Sequence, residues 1–204
     1  ETSNATLLKN EAVLSYSDRV WDLSLFTRAD QSLIGQSSYR YVPSFNASAD
    51  YSALGLRWQL ASEWTEFSHP DASQTEASRS HIAPSVSLPF NRSWGYAQPK
   101  ITWMSTRYEQ ISVDGTKMVL DRELPVYSFD AGLHFEKQFG EQSPVTHLVS
   151  PRIYYSYIPY EYQGDIQLFD TSAPLFGFNQ LWRENRFAGI DRVGDTNHVS
   201  VALA

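Results

Sequence analysis

LGLRWQLASEWTEFS, residues 54 to 68, alternates two kinds of side chain. Leu54, Leu56, Trp58, Leu60 and Trp64 occupy one set of positions; Gly55, Arg57, Gln59, Ala61, Glu63 and Thr65 occupy the other. Successive side chains of a strand point to opposite faces, so the segment reads as a strand with one apolar and one polar face. VYSFDAGLHFEKQF, residues 126 to 139, repeats the pattern. There Tyr127, Phe129, Ala131, Leu133 and Phe135 oppose Ser128, Asp130, Gly132, His134 and Glu136.

Extended outward, the period of two predicts about nine strands, near 10–17, 20–28, 38–48, 54–68, 80–90, 95–109, 125–137, 145–158 and 195–204. Helical spacing is not sustained anywhere. A β-sandwich also alternates, with its apolar face inside. Two features favour a transmembrane barrel. Several candidates reach ten residues or more, whereas globular strands centre on about five or six. The connections also alternate in length. Short ones fall at 17–19, 50–53, 91–94 and 138–144, and long ones at 29–37, 69–79, 110–124 and 159–194. Short turns at one rim and long loops at the other describe an outer-membrane barrel. The expected class is therefore all-β: residues 1–204 as part of an antiparallel up-and-down transmembrane barrel. With about nine strands, the first and last run in the same direction, so the chain is not expected to close by itself.

In this reading the tyrosine-rich strand of LVSPRIYYSYIPYEYQGDIQLFD (148–170) points Val149, Ile153, Tyr155 and Tyr157 at lipid. Arg152, Tyr154 and Ser156 face the lumen, and Pro159 ends the strand at the membrane surface. Asp165, Asp170 and Glu184 belong to the last long loop and are expected to be reachable from outside the cell.

Composition narrows the function. Hydrophobic residues make up 42% and charged ones 19%, which fits neither a disordered tail nor a bundle of membrane helices. No apolar run approaches the ~18 residues a spanning helix needs. There is no cysteine, and thus no thiol chemistry. A net charge of −7 without a basic cluster argues against nucleic acid. ETSNATLLKN lacks a basic and an apolar signal region, so a mature chain or an internal piece is expected.

Catalytic motifs are missing from the sequence: no G-x-S-x-G, no phosphate-binding loop, no H-E-x-x-H. His69, His81, His134, His147 and His198 fall on five separate candidate elements, with no partner at metal-ligand spacing. Asp130 and Glu136 share a face but lie about 20 Å apart along a strand, too far for a glycosidase pair. No catalytic residue, metal or cofactor is expected. Asn-x-Ser/Thr triplets at Asn4, Asn46 and Asn91 are those that polar turns produce by chance.

The polar face supplies the candidate site. Arg57, Glu63, Asp130, His134, Glu136 and Arg152 would face the lumen, where ionisable groups require water, a plug protein or a charged cargo. Asp191, Arg192, Asp195 and Asn197 could order the last long loop against the lumen or bind sugar or phosphate. Equally, such Asp and Asn side chains mark the re-entry of a loop into a strand by bonding nearby backbone.

Three separated stretches carry a family likeness. LVSPRIYYSYIPY (148–160) matches the P-R-x-x-Y-x-Y-x-P part of the form L-x-P-R-x-x-Y-x-Y-x-P, with Ser150 where a glutamate is commoner. WRENRFAGIDRVGDTN (182–197) is similar to F-R-(D/E)-N-R-F-x-G-x-D-R-x-x-D-x-N, with Trp182 in place of the first Phe. SHIAPSVSLPFNRSWG (80–95) follows H-x-x-P-x-x-x-L-P-x-x-x-x-W-G. Together they resemble the outer-membrane lipopolysaccharide-assembly family LptD, also called OstA or Imp. The resemblance implies a periplasmic jellyroll followed by a very large barrel. That barrel encloses a lipoprotein plug, LptE, and passes lipopolysaccharide to the outer leaflet. A periplasmic lipopolysaccharide bridge would dock through the jellyroll. This chain matches the central barrel strands; the jellyroll, the terminal strands that form the lateral exit and the family's cysteines lie outside the match. Open sheet edges also suggest pairing with the barrel-assembly machinery, BamA, during folding. A porin or uptake barrel is the competing membrane reading, and a soluble carbohydrate-binding sandwich the competing soluble one.

Overall fold

A computed structural model describes residues 7–32, 38–139 and 145–203; the expected loop tips at 33–37 and 140–144, Asn4 and Ala204 lie outside them. The main sheet runs β1 (Leu7–Ser17), β2 (Trp21–Ser32), β3 (Arg40–Ala53), β4 (Leu56–Ser68), β5 (Glu76–Ser87), β7 (Gly95–Ile111), β8 (Lys117–Leu133), β11 (Pro151–Ile158) and β12 (Thr196–Leu203). A short β6 (Phe90–Arg92) pairs with the start of β7, and β9 (Phe135–Phe139) pairs with β10 (Val145–Val149). Every pairing is antiparallel, and among the described residues β1 and β12 are the two edges. The nine-strand, open, up-and-down sheet expected above is the fold. No helix among the described residues is long and apolar enough to cross a membrane.

The two faces are inverted relative to a water-soluble sheet. Phe45, Trp58, Trp64, Ile82, Ile101, Trp103, Tyr127, Ile153 and Val201 stand exposed on the outside. Thr65, Arg79, Thr106, Arg122 and Ser156 are buried inside. An apolar band this wide would be an aggregation surface in water, and it is the lipid-facing surface of a transmembrane barrel. Outward pairs such as Tyr51 with Trp58 and Phe45 with Trp64 make the band continuous from strand to strand.

Turn chemistry revises several boundaries. β3 runs to Ala53, and only Leu54 and Gly55 link it to β4, with φ of 55° and 78°. Positive φ at both central residues is the hairpin turn that matches strand twist, and Gly55 takes it without steric cost. Leu54 therefore leaves the apolar face of the strand and is 100% exposed. At the first turn, Asp18 accepts the amides of Val20 at 2.8 Å and Trp21 at 2.7 Å.

The expected long loop at 110–124 is largely strand. β7 and β8 each have 17 residues, joined by residues 112–116. Strands of that length span roughly 55 Å, well beyond a ~30 Å hydrocarbon core. The excess is marked by charge: Arg107 pairs with Glu109 and Asp121 on the outer face, where hydrocarbon would not accept them. The ladder also breaks at His134 and Ser150, inside the expected strands 125–137 and 145–158. From the Gly132–Arg152 pair to the Glu136–Leu148 pair, however, each strand advances four residues. Thus β9 and β10 continue the β8–β11 ribbon in register beyond the sheet.

Candidate functional site: the inner face and its folded-in loop

The polar side of β5 carries Ala77, Arg79 and His81 at alternate positions, and cross-strand pairing sets Arg79 beside Thr65 on β4 and Tyr108 on β7. Arg79 is completely buried, and three carboxylates surround it. Its Nε and Nη2 donate to Glu63 Oε1 at 2.8 and 2.6 Å. Nη1 and Nη2 donate to the two oxygens of Asp170 at 2.9 and 2.6 Å, and Nη1 also reaches Asp191 Oδ1 at 2.5 Å. The guanidinium lies 4.8 Å over the Phe67 ring, and Phe169 of the loop stacks on that ring at 4.6 Å. A charge removed from water needs this degree of satisfaction.

Asp191 is the point where loop and wall join. One oxygen faces the wall, accepting from Arg79 and from Tyr108 Oη at 3.0 Å. The other accepts the loop amides of Phe169, Asp170 and Thr171 at 2.8, 2.9 and 3.2 Å. Its own amide donates to Thr171 Oγ1 at 2.9 Å. Gly189, at φ 86°, brings the returning chain against Thr171, where a Cβ would lie 2.9 Å from the Asp170 carbonyl oxygen. Burial pushes the Asp191 carboxyl up, but Arg79 and the loop amides outweigh it and hold it below the usual range. Burial outweighs the Arg79 bond at Asp170 and, with the charge of Asp191 beside it, raises that carboxyl.

A second arginine ties down the rest of the loop. Arg122, on the inner side of β8, donates to Gln163 Oε1 and the Asp191 carbonyl at 2.9 Å each, to the Ile190 carbonyl at 2.7 Å and to Thr106 Oγ1 at 3.1 Å. Gln163 in turn bonds both backbone groups of Val193, at 2.8 and 3.0 Å. Val193 packs with Leu124, Val126 and Ile158 as a small apolar core. Asn185 closes the end of the loop, accepting from the Gly194 amide at 3.0 Å and donating to the Arg192 carbonyl at 3.0 Å.

Closer to the short-turn rim, the loop and wall border an open cavity of about 510 Å³ lined by Lys100, Ser128, Asp130, Tyr154, Trp182 and Glu184 among others. Ser128 Oγ donates to Glu184 at 2.7 Å, and Lys100 Nζ lies 3.2 Å from it. Arg152 forks onto Asp130 at 2.9 and 2.6 Å and sits 4.1 Å over the Trp182 ring. Anionic, cationic and aromatic groups share one cavity, a mixture that suits a polar ligand or a protein surface rather than an acyl chain.

Of the residues singled out in the sequence, Glu63, Asp130, Arg152 and Asp191 come to this inner surface. Arg57 keeps the inward phase of Gln59 and Glu63 and pairs with Asp50 near the short-turn rim, where both are exposed. His134 lies at the break in the ribbon, its ring 6.2 Å from Tyr96, and Glu136 sits exposed on the projecting ribbon. Arg192 donates to the Gln163 carbonyl at 2.7 Å, Asp195 is exposed, and Asn197 accepts from Tyr155 Oη at 3.2 Å. Asp165 is exposed as expected of an outer loop, but Asp170 and Glu184 fold inward onto Arg79 and Lys100. The inner cations draw them there. Arg79, Arg122, Tyr108 and Gln163 escaped sequence reading, although Arg79 and Arg122 do fall on the polar phase of their strands.

Comparison with known proteins identifies the family. The family profile described as LPS transport system D matches residues 1–204. The chain belongs to the LptD family. It is 36% identical to an LPS-assembly protein LptD of Aromatoleum aromaticum, over 98% of this chain and 26% of that protein. The corresponding protein of an Azoarcus species is 33% identical over the same shares, and that of Pseudomonas aeruginosa 37% identical over 70% of this chain and 17% of its own length. The chain thus spans about a quarter of the relatives that it matches throughout. Membership places it in the outer membrane of a Gram-negative cell, and the inverted faces of the sheet suit a barrel wall in lipid.

Proposed function

We propose that this segment is part of the central wall of the barrel that assembles lipopolysaccharide into the outer leaflet, a transport role rather than an enzymatic one. The observation that carries the reading is the inner face. A 37-residue loop (159–195) is bonded into the interior through two buried arginines, and it leaves a mixed ionic and aromatic surface beside the wall. In the proposal, the cavity between that loop and β7, β8 and β11 presents Lys100, Asp130, Arg152 and Trp182 to a partner inside the barrel. That partner is the lipoprotein plug, LptE, or the phosphorylated sugar head of lipopolysaccharide. Further strands of the same protein continue the sheet from β1 and β12, since bare strand edges in a bilayer cost several kcal/mol per unpaired group. During folding those edges would be templated by BamA. A jellyroll domain of the whole protein would receive cargo from the periplasmic bridge. Photo-crosslinkers introduced in the whole protein at Gln98 and Met104, on the cavity wall, test this. Adducts with lipopolysaccharide or with a lipoprotein are expected. Efficient labelling by neither, in cells that export lipopolysaccharide normally, would count against it.

A further inference from the structure

At the short-turn rim, the sheet ends where Arg92 pairs with Gly95 and Pro151 with Leu203, but the β9–β10 ribbon goes on. His134 to Phe139 adds six residues, roughly 20 Å of strand. Because the register is unbroken, Phe135, Lys137, Phe139, His147 and Val149 keep the direction of Leu133 and Ile153, the lipid-facing side. Glu136, Gln138, Thr146 and Leu148 turn the other way. The outward set contains no acidic residue, in a chain whose net charge is −7.

Nothing among the described residues covers this face. Phe135, Phe139 and Val149 are 56%, 46% and 42% exposed. The Lys137 ammonium lies 4.7 Å over the Phe139 ring, and the His147 ring stands edge-on to it at 4.9 Å. The same chemistry recurs at the adjoining rim, where Arg92 lies 4.5 Å over an exposed Phe90. Phe90 pairs with Ala97 and Ala97 with Ala131, so it too faces outward. Aromatic rings beside cations, in line with a lipid-facing band, suit the depth at which acyl chains give way to phosphates.

We propose that the outward face of this ribbon binds the bilayer surface on the short-turn side, its rings entering the headgroup layer and its cations meeting anionic phospholipid phosphates. The interruption at His134 and Ser150 provides the point about which the ribbon leans toward the membrane. The occupant is lipid because the face extends the lipid-facing band and its charge complements phosphate. A soluble protein domain seated on the ribbon is the competing occupant.

The test uses the whole protein folded in phosphatidylethanolamine–phosphatidylglycerol vesicles, with heat-modifiable migration confirming a folded barrel. A nitroxide is placed on Phe139→Cys and, separately, on Gln138→Cys; Val149→Cys and Thr146→Cys form a second pair. At 139 and 149 the label is expected to meet oxygen in preference to a water-soluble nickel complex, with the reverse at 138 and 146. Adding Lys137→Glu, or omitting phosphatidylglycerol, should lower the membrane-docked population at position 149 about fivefold. Nickel access at 139 and 149 equal to that at 138 and 146 overturns the proposal. So does a label closed to both reagents, which marks a protein partner. Neither result depends on what passes through the lumen.

Discussion

Arg79 and Asp191, 112 positions apart in the chain, meet at 2.5 Å with both side chains wholly buried. One residue belongs to the wall and the other to the returning end of the long loop, so this pair fixes where the loop lies. Without Asp191, Arg79 keeps Glu63 and Asp170 but loses its wholly buried partner, and Tyr108 and three loop amides lose their acceptor, which is costly in a buried network.

Asp191→Ala should therefore destabilise the folded protein by about 3–5 kcal/mol. The effect should concentrate in the loop, since the amides of Phe169, Asp170 and Thr171 lose their acceptor together. Limited proteolysis between 159 and 195, alongside urea unfolding in detergent, measures both. Asp195→Ala, at an exposed position of the same motif, should change stability by under about 0.5 kcal/mol.

Loop docking should have a pH optimum. The Asp191 carboxyl is held low, so its stabilisation is present above the unfolded-state value and is lost as pH falls through the folded one. The Asp170 carboxyl is raised, so its contribution is complete below the unfolded-state value and is lost as pH rises through the folded one. Protection from amide exchange in residues 163–193, relative to the unstructured rate at each pH, should be highest between these limits. Asp170→Asn should remove the loss on the alkaline side and leave the acid side unchanged. A profile identical to wild type would refute the assignment.

Lipid facing can be checked on adjacent residues of β4. Trp58 is outward and half exposed, whereas the Gln59 amide donates inward to Asp50 at 3.0 Å. Trp58→Arg should cost roughly 2–4 kcal/mol in a folding assay in lipid, and Gln59→Arg much less. Equal costs would overturn the facing assignment.

Topology and loop folding can be read together by labelling. A cysteine at the exposed Asp165 should react with an impermeant thiol reagent on intact cells, and one at Ser93 on the opposite rim should not. A cysteine at Asp170 should react poorly until Asp191→Ala frees the loop. Labelling at Ser93 alone would reverse the orientation.

Strand phase was legible from residues 54–68 because a barrel wall imposes a period of two, and large apolar groups such as Trp58 and Trp64 mark it plainly. The number of main-sheet strands followed from that period and from the turn residues between them. Strand ends were less legible. Gly55 demands a two-residue turn that only its φ reveals, and β7 and β8 run past the membrane, where alternation fades because the outer face turns charged, at Arg107, Glu109 and Asp121, opposite an inner face that is itself polar. The family followed from three local motifs, each a continuous run of residues that needs no folded partner to be recognised.

The inner cluster required the tertiary structure. Glu63, Arg79, Asp170 and Asp191 lie on two strands and the two ends of one loop, and no local spacing connects them. The period of two can say that Arg79 points inward, but it cannot say what arrives there. That is decided by the need to neutralise a guanidinium removed from water, and two of its three carboxylate partners, Asp170 and Asp191, come from more than ninety residues further along the chain.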